Sequence, residues 1–172
     1  MRCITCKGNA VIELRRHRAA YCPEHYMDFF RNQVARSIRR HKMFTHQDRL
    51  LLAVSGGKDS LAAWDVLLKL GYRVTGLHID LGIGDYSDHS REVTESFARL
   101  VDGELIVVDL EAEYGLAVPQ LARALRRVPC SGCGLSKRYI FNRVARERGF
   151  NVLVTGHNLD DEAGRLLGNL LH

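Results

Sequence analysis

Residues 50–60 of the chain read LLLAVSGGKDS. The run from Leu50 to Val54 is entirely apolar, which is typical of a short strand buried on both faces of a parallel sheet. The next residues form a Gly-Gly turn, and Asp59 to Leu70 then follows a helical pattern. The apolar positions of that helix are Leu61, Trp64, Leu67 and Leu68. This order predicts a strand, a tight turn and a helix.

The chain beyond this segment continues to alternate between strands and helices. The predicted strands are Val74–Ile79, Leu105–Leu110 and Val152–Thr155, and the predicted helices are Ser90–Val101, Leu135–Arg148 and one that begins near Asp160. Such alternation predicts an α/β fold, a parallel sheet with helices on both faces. Ligands of these sheets bind at the carboxyl ends of the strands, so we expect a site formed by the loops after Val54, Ile79 and Thr155.

The hexapeptide Ser55-Gly56-Gly57-Lys58-Asp59-Ser60 has the properties of an anion site. Its two glycines let backbone N–H groups approach a ligand closely, and the helix that follows adds free amides and a partial positive charge. A plain strand-to-helix turn, capped by Ser or Asp, is the alternative. The spacing of a Walker P-loop is absent, which disfavours transfer of a γ-phosphate of that type.

A second polar segment, Gly156-His157-Asn158-Leu159-Asp160-Asp161-Glu162, follows the last predicted strand. Asn158 or Asp160 would cap the final helix well, and acidic residues are favoured in a first helical turn. Capping and a role in the site are compatible.

Cys3, Cys6, Cys22 and His25 form two close pairs of soft ligands separated by a loop. This spacing predicts a tetrahedral zinc site in which four protein ligands leave no open position, so its role would be structural. Reduced cysteines and a histidine at a helix start are the alternative.

The N-terminal part of the chain is basic. The net charge of the chain is +5, but residues 1–50 hold eleven Lys and Arg against four Asp and Glu. A helix predicted from Pro23 to Lys42 carries several of these arginines beside one apolar stripe. We expect this part, with Arg36, Arg39 and Arg40, to meet a polyanion; a merely solvated basic surface is the alternative.

A second cysteine pair, Cys130 and Cys133, lies one helical turn before Lys137. A C-x-x-C pair is compatible with redox exchange, with half of a zinc site or with two ligands of an iron–sulfur cluster. Lys137 would share a helix face with Cys133 and serve an anionic cluster or a phosphate, unless it is an ordinary surface lysine.

The hexapeptide at 55–60 resembles the PP-loop of the adenine nucleotide alpha hydrolase superfamily, and the segment at 156–162 resembles that of PP-loop tRNA-modifying enzymes. With both cysteine groups included, the chain resembles the TtuA-type tRNA 2-thiouridine synthetases and their archaeal and eukaryotic thiouridylase relatives. The resemblance implies a PP-loop fold and an ATP-dependent 2-thiolation of tRNA. In that reaction the C2 oxygen of a uridine is adenylated and then replaced by sulfur.

The resemblance also implies a set of site residues. ATP would bind to Ala53, Ser55, Gly56, Gly57, Lys58, Asp59, Ser60, Ile79, Lys137, Gly156 and Asp161. Lys137 and Asp161 match the family's catalytic pair, and we expect Asp59 to be catalytic as well. Cys130 and Cys133 match two of three ligands of a [4Fe–4S] cluster. Mg²⁺ would accompany ATP, and the sulfur donor would be a ubiquitin-like carrier with a C-terminal thiocarboxylate.

The family's third cluster cysteine and a second zinc module lie beyond residue 172, so we expect a truncated chain that binds ATP but holds the cluster poorly or is inactive alone. The predicted parts are a zinc module at 1–26, a basic helix at 27–48 and an incomplete PP-loop domain at 49–172. A 2-thiocytidine synthetase, another PP-loop tRNA-modifying enzyme and a catalytically silent zinc and RNA-binding fragment remain alternatives. No apolar segment suits a signal peptide or a membrane span, so we expect a cytoplasmic protein without a membrane partner. We also expect a homodimer.

Overall fold

The computed structural model describes residues 1–115 and 129–171, except for the side chains of residues 129–133 and 135. The chain divides into two units, Met1–Thr45 and His46–His172. Within the described residues, no helix combines the length and the hydrophobicity that a transmembrane span requires.

The first unit is a short hairpin followed by one long helix. Its elements are β1 (Ile12–Leu14), a single 3₁₀ turn (Arg15–His17), β2 (Ala19–Tyr21) and α1 (Pro23–His41). The two strands pair in antiparallel fashion. Phe29 of α1 stacks on Tyr21 with 5.1 Å between the ring centroids, which packs the helix against the hairpin. Pro23 is the first residue of α1, where its missing N–H has no intrahelical partner to lose.

The second unit contains the predicted alternation. Its elements are β3 (Arg49–Ala53), α2 (Lys58–Lys69), β4 (Arg73–Asp80), α3 (Gly84–Leu100), β5 (Leu105–Asp109), α4 (Leu110–Tyr114), α5 (Pro129–Arg148), β6 (Val152–Thr155) and α6 (Leu159–Leu171). The strand order in the sheet is β5-β4-β3-β6, and every neighbouring pair is parallel. The predicted α/β fold with a parallel sheet is confirmed.

Side chains along each strand alternate between the two faces of the sheet, and helices cover both faces. On one face, Leu77 and Ile79 of β4 join a core cluster with Ile140 and Val144 of α5. On the other face, the fully buried indole of Trp64 in α2 lies against Gly76 of the same strand. Because ligands of such sheets bind at the carboxyl ends of the strands, we expect a site where β3, β4 and β6 end.

Two helices begin six residues earlier than the sequence pattern predicts. α3 begins at Gly84 rather than at Ser90, and the Ser87 hydroxyl accepts a 3.0 Å hydrogen bond from the Ile83 N–H at its start. α5 begins at Pro129 rather than at Leu135. Both early turns are rich in Gly, Ser or Asp, residues of low helix propensity that give no apolar periodicity.

The contact between Gly76 and Trp64 gives the first prediction. A Cβ at Gly76 would lie 2.6 Å from the Trp64 ring, which is buried and has no room to move. We expect Gly76→Ala to lower the free energy of unfolding by about 1–3 kcal/mol, measured by denaturant titration. Gly164→Ala is the control, because a Cβ there meets nothing within 4 Å and should raise helix stability slightly. Equal midpoints for Gly76→Ala and the parent chain would contradict this packing.

Candidate functional site

The turn between β3 and α2 exposes backbone amides at the carboxyl end of the sheet. Gly56 has a φ of +77°, which favours glycine, and Gly57 is the N-cap of α2 without a side-chain cap. The Ser60 hydroxyl folds back and donates a 2.9 Å hydrogen bond to the Gly57 carbonyl. The first amides of α2 have no intrahelical acceptor, so this turn is a ready site for an anion.

Two glycines allow the loops of the site to approach each other closely. A Cβ at Gly56 would lie 2.8 Å from the carbonyl oxygen of Ser90 in α3. A Cβ at Gly156, after β6, would lie 2.7 Å from the Cα of Ser60. Any larger residue at either position would push backbone against backbone. The turn is therefore held between α3 on one side and the loop after β6 on the other.

Lys58 and Asp59 form an ion pair at the start of α2, with 2.9 Å between Nζ and Oδ1. The hydrogen bond from Lys58 lowers the pKa of Asp59, and the Asn158 amide lowers it further. The same hydrogen bond to Asp59 raises the pKa of Lys58. Both groups are therefore charged at neutral pH, and the exposed lysine is available to a second anion.

The loop after β6 uses one asparagine to start α6. The Asn158 side-chain oxygen accepts the N–H groups of Asp160 and Asp161 at 2.9 and 3.0 Å. The Asp161 carboxylate in turn accepts the N–H of Asn158 at 2.9 Å. This reciprocal arrangement is a capping box, so Asp161 is fixed in place while its carboxylate borders the site.

These loops surround a cavity of about 820 Å³, which is large enough for a nucleotide. Ten of the residues predicted to bind ATP line it: Ala53, Ser55, Gly57, Lys58, Asp59, Ser60, Ile79, Lys137, Gly156 and Asp161. The remaining one, Gly56, contacts Ser90 as described above. The structure thus brings together residues that are more than 100 positions apart in the chain.

The cavity also has walls that sequence reasoning missed. Among them are His78 of β4, Ser87 and Ser90 of α3 and Phe141 of α5. His157 lines the cavity too; it lies in the polar segment 156–162 that the sequence singles out, but the sequence alone gives it no role. Phe141 lies four residues after Lys137, so helical spacing alone could have placed it on the same face. No comparable signal in the sequence singles out Ser87 or Ser90, because the start of α3 has no apolar periodicity.

Lys137 and the second cysteine pair lie on one helix. The half-buried Lys137 reaches the cavity from the third turn of α5. The backbone of the same helix contains Cys130 and Cys133, whose side chains lie outside the described part of the structure.

In the first unit, Cys3, Cys6, Cys22 and His25 converge on one point. Their ligand atoms all lie within 4.8 Å of one another. The Sγ atoms of Cys6 and Cys22 are 3.9 Å apart, and Nδ1 of His25 lies 3.0 Å from Cys22 and 3.7 Å from Cys3. Two sulfurs on a tetrahedral ion with bonds of about 2.3 Å would be about 3.7 Å apart, so the cluster fits a metal ion of that geometry.

The Cys3 thiol is set up to be a ligand. Burial raises its pKa, but hydrogen bonds from the backbone amides of Cys6, Cys22 and Thr5 lower it to about 6. The thiolate, which is the form that binds metals, is therefore present at neutral pH.

Arg36, Arg39 and Arg40 are exposed on α1. Their spacing of three and four residues places them along one face of the helix. They form a compact positive surface within the first unit.

Comparison with known families divides the chain into two matches. Residues 28–172 match the PP-loop domain, and residues 2–27 match the N-terminal LIM domain of 2-thiouridine synthetase TtuA.

Curated relatives cover the whole chain. It is 59% identical over 172 residues to the tRNA-5-methyluridine(54) 2-sulfurtransferase of Thermus thermophilus, covering 100% of this chain and 54% of the relative. The enzyme of that name from Pyrococcus horikoshii is 44% identical, with coverage of 100% and 55%. Cytoplasmic tRNA 2-thiolation protein 1 of Chlamydomonas reinhardtii is 30% identical, with coverage of 98% and 50%. The chain spans about half the length of these relatives.

Solved structures give the same picture. The U34-tRNA thiolase NcsA from Methanococcus maripaludis, solved with its [4Fe-4S] cluster, aligns with a TM-score of 0.85 and 25% identity, covering 99% of this chain and 58% of that one. An NH3-dependent NAD synthetase from Campylobacter jejuni aligns with a TM-score of 0.51 and 16% identity over 78% of this chain and 55% of that one, which shows the fold alone.

The geometry of the four-ligand cluster predicts one tightly bound metal ion per chain. We expect Cys22→Ser to lose that ion, because it removes a ligand of a four-coordinate site, and to lower the melting temperature of the first unit. Elemental analysis of the purified protein and calorimetry measure both effects. Cys130→Ser is the matched control and should keep the ion. Metal retained by the Cys22 variant would show that the four residues do not form the site.

Proposed function

We infer the function of this chain from its family, since it belongs to the PP-loop domain family. We propose that it binds ATP in the cavity at the carboxyl end of its sheet and is the ATP-binding part of a tRNA 2-sulfurtransferase. One observation carries the proposal. The free amides at the start of α2, the cation Lys137 and the carboxylate Asp161 all border the same cavity. This is the arrangement that phosphoryl chemistry requires, because charge develops on phosphate oxygens and on a leaving diphosphate.

In the first step, the C2 oxygen of a uridine attacks the α-phosphorus of ATP. The bond between the α-phosphorus and the bridging oxygen breaks, and pyrophosphate leaves. The amides after Gly57 hold the β- and γ-phosphates, and Lys58 and Lys137 offset the developing negative charge. Asp59 and Asp161 are two of the carboxylates that line the cavity, and they offer the oxygen ligands that Mg²⁺ takes when it accompanies ATP.

In the second step, sulfur replaces the activated oxygen. A sulfur nucleophile attacks C2, the bond from C2 to the adenylated oxygen breaks, and AMP leaves with that oxygen. The proposed donor is a ubiquitin-like carrier protein with a C-terminal thiocarboxylate. One water converts that thiocarboxylate to a carboxylate, so the overall reaction involves no net oxidation. Adenylation matters because the bare uracil oxygen is a poor leaving group.

Two metal groups belong to this proposal. Zn²⁺ is the ion we assign to Cys3, Cys6, Cys22 and His25, since three thiolates and one imidazole match its preference and leave no open position. Cys130 and Cys133 would provide two thiolate ligands to a [4Fe–4S] cluster, whose chemistry when bound is to carry sulfur to the substrate. The backbone of α5 places these cysteines one turn apart and one turn before Lys137.

The RNA substrate would be tRNA, held by the positive surface at Arg36, Arg39 and Arg40. Among tRNA positions we assign uridine 54, because the relatives of 59%, 44% and 42% identity are named for 5-methyluridine 54, whereas the thiolase named for U34 is 25% identical. Mass spectrometry of tRNA nucleosides from cells that lack the gene tests the assignment of uridine 54. We expect those cells to lose the 2-thio form of 5-methyluridine.

We further propose that the protein is a cytoplasmic homodimer and that the chain has three parts, residues 1–26, 27–48 and 49–172.

Lys137 gives a prediction for the chemistry. We expect Lys137→Ala in the full-length protein to lower kcat for tRNA-dependent pyrophosphate release about 100-fold or more, because it removes a charge that opposes the developing charge on the phosphates. The KM for ATP should change much less. Pyrophosphate release is followed with an enzyme-coupled assay.

Lys69→Ala is the matched control. Lys69 is a surface lysine of α2 that pairs with Asp65 and does not border the cavity. Its removal should leave kcat unchanged. Parent-like kcat in the Lys137 variant would remove this lysine from the mechanism.

The arginines of α1 give a prediction for RNA binding. Changing Arg36, Arg39 and Arg40 together to Ala should weaken tRNA binding and reduce the slope of log K against log salt by about two to three, since each phosphate contact contributes about 0.7–0.9 to that slope. Filter binding at several salt concentrations measures it.

The control is a variant of equal charge change in the second unit, with Arg73, Arg99 and Arg146 changed to Ala. All three are exposed in the structure. A parent-like slope in the α1 variant, or the same loss of tRNA binding in both variants, would show that these arginines of α1 do not form the RNA surface.

A further inference from the structure

The ladder between β3 and β4 ends in an unusual way beside the cavity. Its last pair is Ala53 and Leu77, and the N–H of Val54 still donates to the Leu77 carbonyl at 2.9 Å. In a continued parallel ladder, the N–H of Ile79 would donate to the carbonyl of Val54. The side chain of His78 reaches that carbonyl, with 2.9 Å between Nδ1 and the oxygen.

His78 is buried and connected to the rest of the site. It is only 2% exposed, and the fully buried Thr94 of α3 lies beside it, with Oγ1 3.5 Å from Nδ1. The Thr94 hydroxyl donates to the carbonyl of Ser90 at 2.8 Å. A Cβ at Gly56 would lie 2.8 Å from this same carbonyl oxygen. His78 thus lies where the end of β3, the helix α3 and the turn at 55–60 meet.

The contacts define the state of the imidazole. A carbonyl can only accept, so the hydrogen must be on Nδ1. Nε2 is buried and has no partner within the described residues. Burial lowers the pKa of His78, although the nearby Asp80 and Glu95 carboxylates favour the charged form. The neutral ring with a single Nδ1 donor follows.

We propose that His78 is a positioning residue for the nucleotide base: by donating to the Val54 carbonyl, it keeps the Ile79 N–H available to a ligand in the cavity. Ile79 lines that cavity at the end of β4. The inference rests on the proposed binding of ATP and on the expectation, implied by the family resemblance, that the backbone of Ile79 holds the adenine. It differs from a purely structural role because the donor at one atom, rather than the bulk of the ring, is what the site requires.

Three variants separate the donor from the ring. His78→Asn keeps an N–H donor near the position of Nδ1, His78→Gln moves the donor towards the position of Nε2, and His78→Leu has no donor. The probes are ATP and inorganic tripolyphosphate, whose dissociation constants are measured by isothermal titration calorimetry on the full-length protein. Tripolyphosphate engages the phosphate turn without a base.

We expect His78→Gln and His78→Leu to weaken ATP binding about tenfold, the effect of one lost hydrogen bond at the base, while tripolyphosphate binding stays within about twofold of the parent protein. His78→Asn should bind both probes within about threefold of the parent. Melting curves establish that each variant is folded, and if Gln or Leu prevents folding, the Asn variant alone decides the matter.

Three results would overturn the inference. ATP binding unchanged in the folded Gln and Leu variants would show that the donor is irrelevant. A folded Asn variant as weak as the Leu variant would show that the ring itself matters. Equal losses for ATP and tripolyphosphate would place the effect on the phosphate turn. If the parent protein bound tripolyphosphate but not ATP, that result would overturn the proposed function, and the inference with it.

Discussion

The amides at the start of α2 have no acceptors in their own helix, and the parallel sheet places them where β3 ends. Most of the site depends on this constraint. The turn must bring these N–H groups into the open without a capping side chain, which is why Gly57 rather than Ser or Asp is the N-cap. The neighbouring loops must approach it from both sides, and Gly56 and Gly156 are the points where backbone meets backbone. The start of α2 then presents positive potential to the cavity, where a diphosphate would bind.

The charged groups around the cavity have structural partners as well as the chemical roles that we propose for them. Asp161 is held by a capping box with Asn158, and Asp59 is held by Lys58 and by the Asn158 amide. Such groups need little reorganisation when charge develops nearby, which is the condition for electrostatic stabilisation of a transition state. The capping interpretation of this loop is confirmed, and it is compatible with the proposed role in the site, because the same hydrogen bonds that start α6 also fix the Asp161 carboxylate.

The sequence predicts the parts of the fold that have a strong period or a special residue. The parallel sheet was predicted from the apolar run at 50–54, the glycine turn and the alternating elements. The family resemblance is confirmed by the match over 28–172. The early start of α3 could not be predicted, because its first turns are polar and their stability comes from Ser87 and from contacts in the folded chain. His78 was equally hidden, since its importance lies in one carbonyl at position 54 that only the register of β3 and β4 brings within reach.

The first unit obeys a different constraint, which is its small size. Strands of three residues in a two-stranded hairpin do not fold stably by themselves, so a metal ion is the natural source of the missing stability. Cys22 is the N-cap of α1 and His25 lies in its first turn, so two of the four candidate ligands also define where this helix begins. An ion bound there would tie the start of α1 to the turn at Cys3 and Cys6. The orientation of the arginines further along α1 would then depend on the metal, although none of them contributes a ligand atom.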